Sequence, residues 1–245
     1  MPLAALLSSN AASGDASFAH PRLYKDPMPS WTECKNFIRV CRSHFYTTGA
    51  VLPSSPFLAN ALVSAVARPR GPARILEVGP GTGPVTQAIA RHMQSADTLE
   101  AVEINEHFVR LLEQRIRTDP VFAPRRQQIQ VIHGPLEAVA GTGVYDFIVS
   151  GLPFNNFPID QVRAIFAGYR RLLKTGGTLS FFEYTLIREL KTPFVGRDER
   201  RRLSGVGQVV TEYVRKYQVR CQRIFINVPP ATARHLCFPQ PNVQT

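Results

Sequence analysis

Acidic residues are scarce: 18 Asp and Glu stand against 29 Lys and Arg in 245 residues, for a formal net charge of +11. Cysteine is scarcer still. Cys34, Cys41, Cys221 and Cys237 are the four present, and no two form a Cys-x-x-Cys pair or a zinc spacing. That argues against a structural metal and reads as small buried apolar side chains in a reducing compartment. No apolar run approaches the roughly 20 residues of a membrane-spanning helix. The opening Met1–Ser8 stretch is short for a secretory signal and has no positive leader. What is there suffices for one sizeable core: 44% of residues are hydrophobic and 9% aromatic, while a charged fraction of 19% excludes wholesale disorder.

The charge is unevenly placed. Residues 1–70 carry seven basic and three acidic groups, residues 71–187 carry eleven of each, and residues 188–224 carry ten basic and four acidic. A neutral centre with basic flanks suits an anionic macroscopic partner, either nucleic acid or a lipid surface, or it serves solubility alone.

Residues 1–30, rich in Ser, Ala, Pro and Gly, read as a flexible N-terminal arm. Ser30-Trp-Thr-Glu33 then has the form of a capping box. On a 3.6-residue period Trp31, Cys34, Phe37, Ile38, Cys41 and Phe45 share one helical face flanked by Lys35, Arg39 and Arg42. This stripe is either packed on the domain or laid in a headgroup layer. A turn-rich connection, Tyr46–Ser55, leads to an apolar helix at 56–67 that ends at Pro69-Arg-Gly-Pro72. From residue 73 strands and helices alternate. Strand-like runs fall at about 73–78, 98–103, 128–133, 145–150 and 177–184, and helical periods at about 84–94, 106–117 and 158–173. This order predicts a mostly parallel sheet covered on both faces. Residues 188–201 read as a polar basic loop, 205–216 as a helix, and 219–226 with 233–238 as an antiparallel hairpin.

Ile75-Leu-Glu-Val-Gly-Pro-Gly-Thr-Gly83 follows a strand and precedes a helix, the context that gives a glycine loop chemical meaning. Gly79, Gly81 and Gly83 permit a tight turn and let a ligand approach the backbone. No Gly-Lys-Ser/Thr follows, so it is not a phosphate-binding Walker loop, and Pro84 breaks the dinucleotide pattern. Glu103 ends the second strand, where a carboxylate can accept both ribose hydroxyls. A ribose receptor without pyrophosphate geometry favours a nucleoside without phosphates. S-adenosylmethionine fits, and its sulfonium would welcome Glu77. After the third strand, His133-Gly-Pro-Leu-Glu137 carries Pro135 where many adenosine sites place an acid. Backbone near Pro135 and Leu136, or Glu137 reaching back, would meet the adenine.

Asp146-Phe-Ile-Val-Ser-Gly-Leu-Pro-Phe-Asn-Asn156 places a rigid turn at the end of a central strand, where doubly wound sheets do their chemistry. Backbone carbonyls at Ser150, Gly151 and Leu152 could take hydrogen bonds from an amine. Phe154 either cages a methylated ammonium through its ring face or lies in the core.

These segments look like a class I S-adenosylmethionine-dependent methyltransferase. The Gly151-Leu-Pro-Phe154 turn resembles the Asn-Leu-Pro-Tyr of ribosomal RNA adenine dimethylases, with Gly for Asn and Phe for Tyr. The closer resemblance is to the bacterial peripheral phospholipid N-methyltransferases. It is carried by Tyr46-Thr-Thr-Gly-Ala-Val-Leu-Pro-Ser-Ser55, the glycine loop, Val149–Phe154 and Phe181-Phe-Glu-Tyr184, and spans about residues 30–240.

The resemblance implies a Rossmann-like α/β fold with a mostly parallel seven-stranded sheet ending in an antiparallel hairpin, preceded by an N-terminal amphipathic helix. It implies a helical substrate and membrane segment at 31–70, a methyltransferase core at 71–240, and a basic loop-helix insertion over the site at 188–217. The implied activity is stepwise methylation of phosphatidylethanolamine to phosphatidylcholine, by a monomer held peripherally on the inner face of the cell membrane. S-adenosylmethionine would be held by Thr48, Gly49, Ser54, Glu77, Gly79, Gly81, Gly83, Glu103, Ile104, Pro135, Leu136 and Ser150. Tyr46 would face the amine, with Ser150, Gly151, Leu152 and Phe154 around it. Phe45, Tyr184, Arg188 and Lys191 would hold the substrate, and His133 is a second candidate base. Trp31, Lys35, Phe37, Ile38, Arg39 and Arg42 would meet the membrane. RNA adenine-N6 methylation and small-molecule amine methylation are the alternatives.

Overall fold

The computed structural model describes residues 54–185, 196–227 and 229–239. The arm and the amphipathic helix expected before residue 54 lie outside this range. Seven strands run β1 (Arg74–Val78), β2 (Thr98–Glu103), β3 (Ile129–His133), β4 (Tyr145–Ser150), β5 (Leu173–Tyr184), β6 (Gln218–Ile224) and β7 (Ala231–Cys237). They form one sheet in the order β3-β2-β1-β4-β5-β7-β6. The first five strands are parallel, and β7 pairs antiparallel with both β5 and β6. The expected mostly parallel sheet with a terminal hairpin is thus the observed one.

Helices α1 (Pro56–Leu62), α2 (Pro84–His92) and α3 (Glu106–Thr118) cover one face, and α4 (Ile159–Leu172) with α5 (Arg197–Tyr217) covers the other. Alternation along each strand serves both faces. Leu76 and Val78 pack in the α4 and α5 layer, while Ile75 packs with Leu58, Leu62 and Ile89 on the opposite side. Local chemistry fixes the helix starts. The Ser55 hydroxyl accepts the Leu58 amide at 3.2 Å with Pro56 at the first helical position, and the Asn105 side chain accepts the His107 amide at 3.0 Å.

Two expectations change. The polar stretch that reads as a loop to 201 is helical from Arg197, since Asp198 and Glu199 stand in the first turn where the helix dipole favours acids. α5 therefore lies flat on the sheet, with Val206, Val209 and Val210 buried. The two described cysteines are not buried: Cys221 is exposed on the edge strand β6, and Cys237 is half-buried.

Candidate active site

The glycine loop turns from β1 into α2. Gly81 and Gly83 adopt φ of 56° and 85°, the left-handed region that side chains resist. A methyl group at Gly83 would lie 2.6 Å from Leu112, whereas one at Gly81 would meet nothing within 4 Å. The bend is thus closed toward α3 and open at Gly81. Glu103 locks the loop to the next strand: one oxygen accepts the Gly81 amide at 3.1 Å, the other the Asn105 amide at 2.9 Å. From α3, Arg115 donates to the Thr82 carbonyl at 2.5 Å.

Glu77 is the unusual group. It is 1% exposed, and neither carboxylate oxygen has a hydrogen-bond partner among the described residues. Thr86, in the first turn of α2, stands beside it: its hydroxyl and amide come near enough to favour the carboxylate without reaching good hydrogen-bond geometry, and the buried hydroxyl has no other described partner. Burial pushes the Glu77 carboxyl up to about 8, the neighbouring charge of Glu103 adds to this, and Thr86 moderates it. Burial also raises Glu103, against the pull of the Asn105, Gly81 and Ile104 amides. A buried carboxyl with no cation beside it, next to a glycine bend that is open at Gly81, is a group that a bound cation would favour in its charged form. The sequence marked Glu77, but not Thr86, whose polar side chain among Val85, Ala88 and Ile89 was the available signal.

The turn after β4 is wedged against this loop. The Gly151 amide donates to the Val78 carbonyl at 2.8 Å. A Cβ at Gly151 would come within 2.5 Å of the Gly79 carbonyl oxygen, and one at Gly79 within 2.6 Å of the Leu152 side chain. The Gly151 and Leu152 carbonyls accept no hydrogen bond from a described residue. Arg202 of α5 holds the far side of the turn, donating to the carbonyls of Asn155 at 2.8 Å and Phe157 at 2.7 Å while pairing with Glu199. This arginine lies in the basic insertion expected at 188–217, and no sequence signal separates it from its neighbours.

Phe154 corrects an expectation. It is 4% exposed and its ring meets Phe166 at 5.1 Å and Phe181 at 5.5 Å, so it anchors the turn from within the core instead of caging an ammonium. The Ser150 side chain also faces inward. It is fully buried and accepts the Tyr169 hydroxyl at 2.7 Å and the Leu152 amide at 3.3 Å. Only its backbone remains available to the site. His133 is displaced as a candidate base too. It ends the edge strand β3, three strand positions from β4 and so about 14 Å away across the sheet, and its Nε2–H donates to the Ile104 carbonyl at 3.2 Å.

Ile104, Pro135 and Leu136 follow β2 and β3 at the same sheet end, with Leu136 buried against the α4 layer. Tyr184, at the end of β5, is half-buried with its ring edge-on to Phe182 at 5.1 Å. Ser54 is half-buried just ahead of α1. Trp31, Lys35, Phe37, Ile38, Arg39, Arg42, Phe45, Tyr46, Thr48, Gly49, Arg188 and Lys191 lie outside the described residues.

The family model of the methyltransferase domain matches residues 75–177, from the first strand into the fifth. An ornithine lipid N-methyltransferase of Singulisphaera acidiphila is 30% identical over 144 residues, 56% of this chain and 70% of that protein. The chain belongs to the class I S-adenosylmethionine-dependent methyltransferases. Solved structures agree on the fold. An O-methyltransferase from Bacillus cereus in complex with S-adenosylhomocysteine aligns with a TM-score of 0.57 at 15% identity, covering 83% of this methyltransferase and 90% of that chain. The O-methyltransferase TomG from Streptomyces achromogenes aligns with a TM-score of 0.55 at 16% identity, covering 82% and 89%. S-adenosylmethionine is accordingly the cofactor of this methyltransferase. The residues present fit it: Glu77 offers an unpartnered buried carboxyl to a cation, and Gly81 leaves the backbone open.

Proposed function

We propose that this methyltransferase acts on the primary amine of a membrane lipid, phosphatidylethanolamine first, and carries its mono- and dimethyl forms on to phosphatidylcholine. The observation that supports the reading best is the acceptor turn: Gly151 and Leu152 touch the glycine bend and carry two carbonyls that no described residue uses. The likeness to an ornithine lipid N-methyltransferase supports a lipid amine. The resemblance of Tyr46–Ser55 and Val149–Phe154 to phospholipid N-methyltransferases favours phosphatidylethanolamine.

When bound, S-adenosylmethionine supplies an electrophilic methyl carbon, to which an amine nitrogen bonds as the carbon–sulfur bond breaks. The residues of the chain align and dehydrate. An ammonium with a solution pKa of about 10 must first give up a proton. That proton passes to solvent water, and the two remaining N–H groups donate to two of three oxygens, the Gly151 and Leu152 carbonyls and the Tyr46 hydroxyl, leaving the lone pair directed at the donor. Each methylation removes one N–H. The last steps therefore depend on aromatic faces, with Phe45 and Tyr184 in that role and Phe154 withdrawn from it. Arg188 and Lys191 would neutralise the lipid phosphate. Thr48, Gly49 and Ser54 would complete the donor pocket with Glu77, Gly81, Glu103, Ile104, Pro135 and Leu136.

The amine of an ornithine lipid is a second substrate of the same class, favoured by the likeness to the Singulisphaera enzyme. Adenine-N6 methylation of RNA is disfavoured, because Gly151 stands where the adenine dimethylases carry the asparagine of their Asn-Leu-Pro-Tyr turn, and the close Gly79 carbonyl leaves no room for one. The test is incubation with isotopically labelled donor and mixed vesicles holding phosphatidylethanolamine and ornithine lipid, beside RNA and soluble amines. Label in a lipid product is expected; label confined to RNA or soluble amines refutes the lipid reading.

A further inference from the structure

Four large apolar side chains stand in solvent on the described surface: Phe57 is 54% exposed, Val219 65%, Phe225 71% and Ile226 69%. Three of them gather in one place. Phe225 and Ile226 lie in the turn between β6 and β7, and Phe57 opens α1. The Ser55 amide donates to the Asn227 side-chain oxygen at 3.3 Å, which ties the start of α1 to that turn.

This place is on the active-site side of the sheet. Ser180 of β5 is level with Val149 of β4, and Val149 with Glu77 of β1. Tyr184 is level with Ala231, and Ala231 with Ile224. Four residues of β5 separate the two levels, about 13 Å at the rise of a strand. The apolar turn therefore projects past the level of Glu77 toward the side from which a substrate enters.

Its surroundings are basic. Arg223 is exposed next to the turn on β6, with Arg220 exposed further along the strand. No Asp or Glu occurs from Tyr213 to residue 245, nor from Ser54 to Leu76. Exposed apolar side chains at a projecting tip flanked by Arg223, with the acid of the neighbouring β5, Glu183, paired to Arg234, match the interfacial zone of an anionic bilayer. Nucleic acid would use the arginines, but gains nothing from Ile226.

We infer that Phe57, Phe225 and Ile226 form a membrane-docking surface that seats the rim of the active site on an anionic lipid bilayer. This deepens the lipid reading and rests on it for purpose, while its geometry is independent of the substrate. Its residues are other than those of the amphipathic stripe at 31–45.

The test uses the full chain and two vesicle preparations, phosphatidylcholine alone and an equal mixture of phosphatidylcholine and phosphatidylglycerol. The wild type is expected to sediment with the anionic vesicles. The double variant Phe225→Ser, Ile226→Ser should partition about 10- to 100-fold more weakly, with Tm and donor affinity unchanged. A Phe225→Trp variant in a Trp31→Phe background should shift its emission to the blue on anionic vesicles. Partition of the double variant equal to wild type, no emission shift, or loss of RNA binding in place of vesicle binding would each overturn the surface. Methyl transfer to detergent-dispersed phosphatidylethanolamine separates the two readings. If the tip controls vesicle binding but no lipid amine is methylated, the substrate assignment fails and the surface stands. If the dispersed lipid is methylated but the tip variant binds vesicles normally, the surface fails and the reaction stands.

Discussion

Replacing Glu77 with Gln tests the donor pocket at its most perturbed group. The Glu77 carboxyl rises from 4.5 to about 8 in the folded chain, chiefly because burial penalises its charge. Between those values the folded protein holds a proton that the unfolded chain has lost. Its contribution is therefore complete below about pH 4.5 and disappears as pH rises through 8. A shift of that size corresponds to about 5 kcal/mol, an upper figure for so buried a group. In thermal or urea unfolding without donor, Glu77→Gln should match the wild type near pH 4.5 and exceed it increasingly up to pH 8, by several kcal/mol. Donor binding should show the converse. A cation beside Glu77 favours the carboxylate, so binding below pH 8 expels a proton, and affinity falls by up to tenfold for each pH unit below 8. Titration calorimetry in two buffers of different ionisation enthalpy reads that proton directly, and the Gln variant should release none. Parallel stability profiles for the two proteins, with proton-neutral binding in both buffers, would refute the assignment of Glu77 as the cation's partner.

Gly151→Asn puts a Cβ within 2.5 Å of the Gly79 carbonyl; it should lower stability by about 1–3 kcal/mol and cut methyl transfer at least tenfold, as read by unfolding and by labelled-methyl assay. Full activity would show that turn and loop separate at little cost. Arg202→Ala removes the donors to the Asn155 and Phe157 carbonyls; kcat should fall about tenfold or more while the donor Kd holds, with Arg202→Lys intermediate. Equal loss of donor affinity would assign Arg202 to general stability. Tyr46→Phe should lower turnover more than donor affinity, and equal losses would place Tyr46 in the donor shell.

Strand positions were legible because each parallel strand is a short apolar run followed by a turn or cap signal. Ile75–Val78 and Phe147–Val149 need no tertiary information to be found. The glycine loop and Glu103 were legible for a different reason, since their spacing is imposed by one strand–helix–strand unit. The acceptor turn was located, but the direction of its side chains was not. Phe154 follows Pro153 with no periodic pattern around it, and only the rings of Phe166 and Phe181, brought from α4 and β5, decide that it points inward. Arg202 depends equally on partners 45 and 47 residues away. Cys221 reads as a buried apolar residue by type, but β6 is the outermost strand and leaves that side chain exposed. His133 was close to the chemistry in chain order alone; the crossover that puts β4 beside β1 and β3 at the edge moves it away.

The strand order also divides the sheet into parts that become complete at different times. β3, β2, β1 and β4 can pair using residues 74–150 alone, so the donor bend and the acceptor turn have their neighbouring strands early in synthesis. β7 lies between β5 and β6, which leaves β6 without a partner until residues 231–237 emerge. The half that recognises a nucleoside thereby has its strands paired before the half that carries the apolar tip, and Phe225 and Ile226 take their fixed place in a turn only when the last strand has slotted in beside β6.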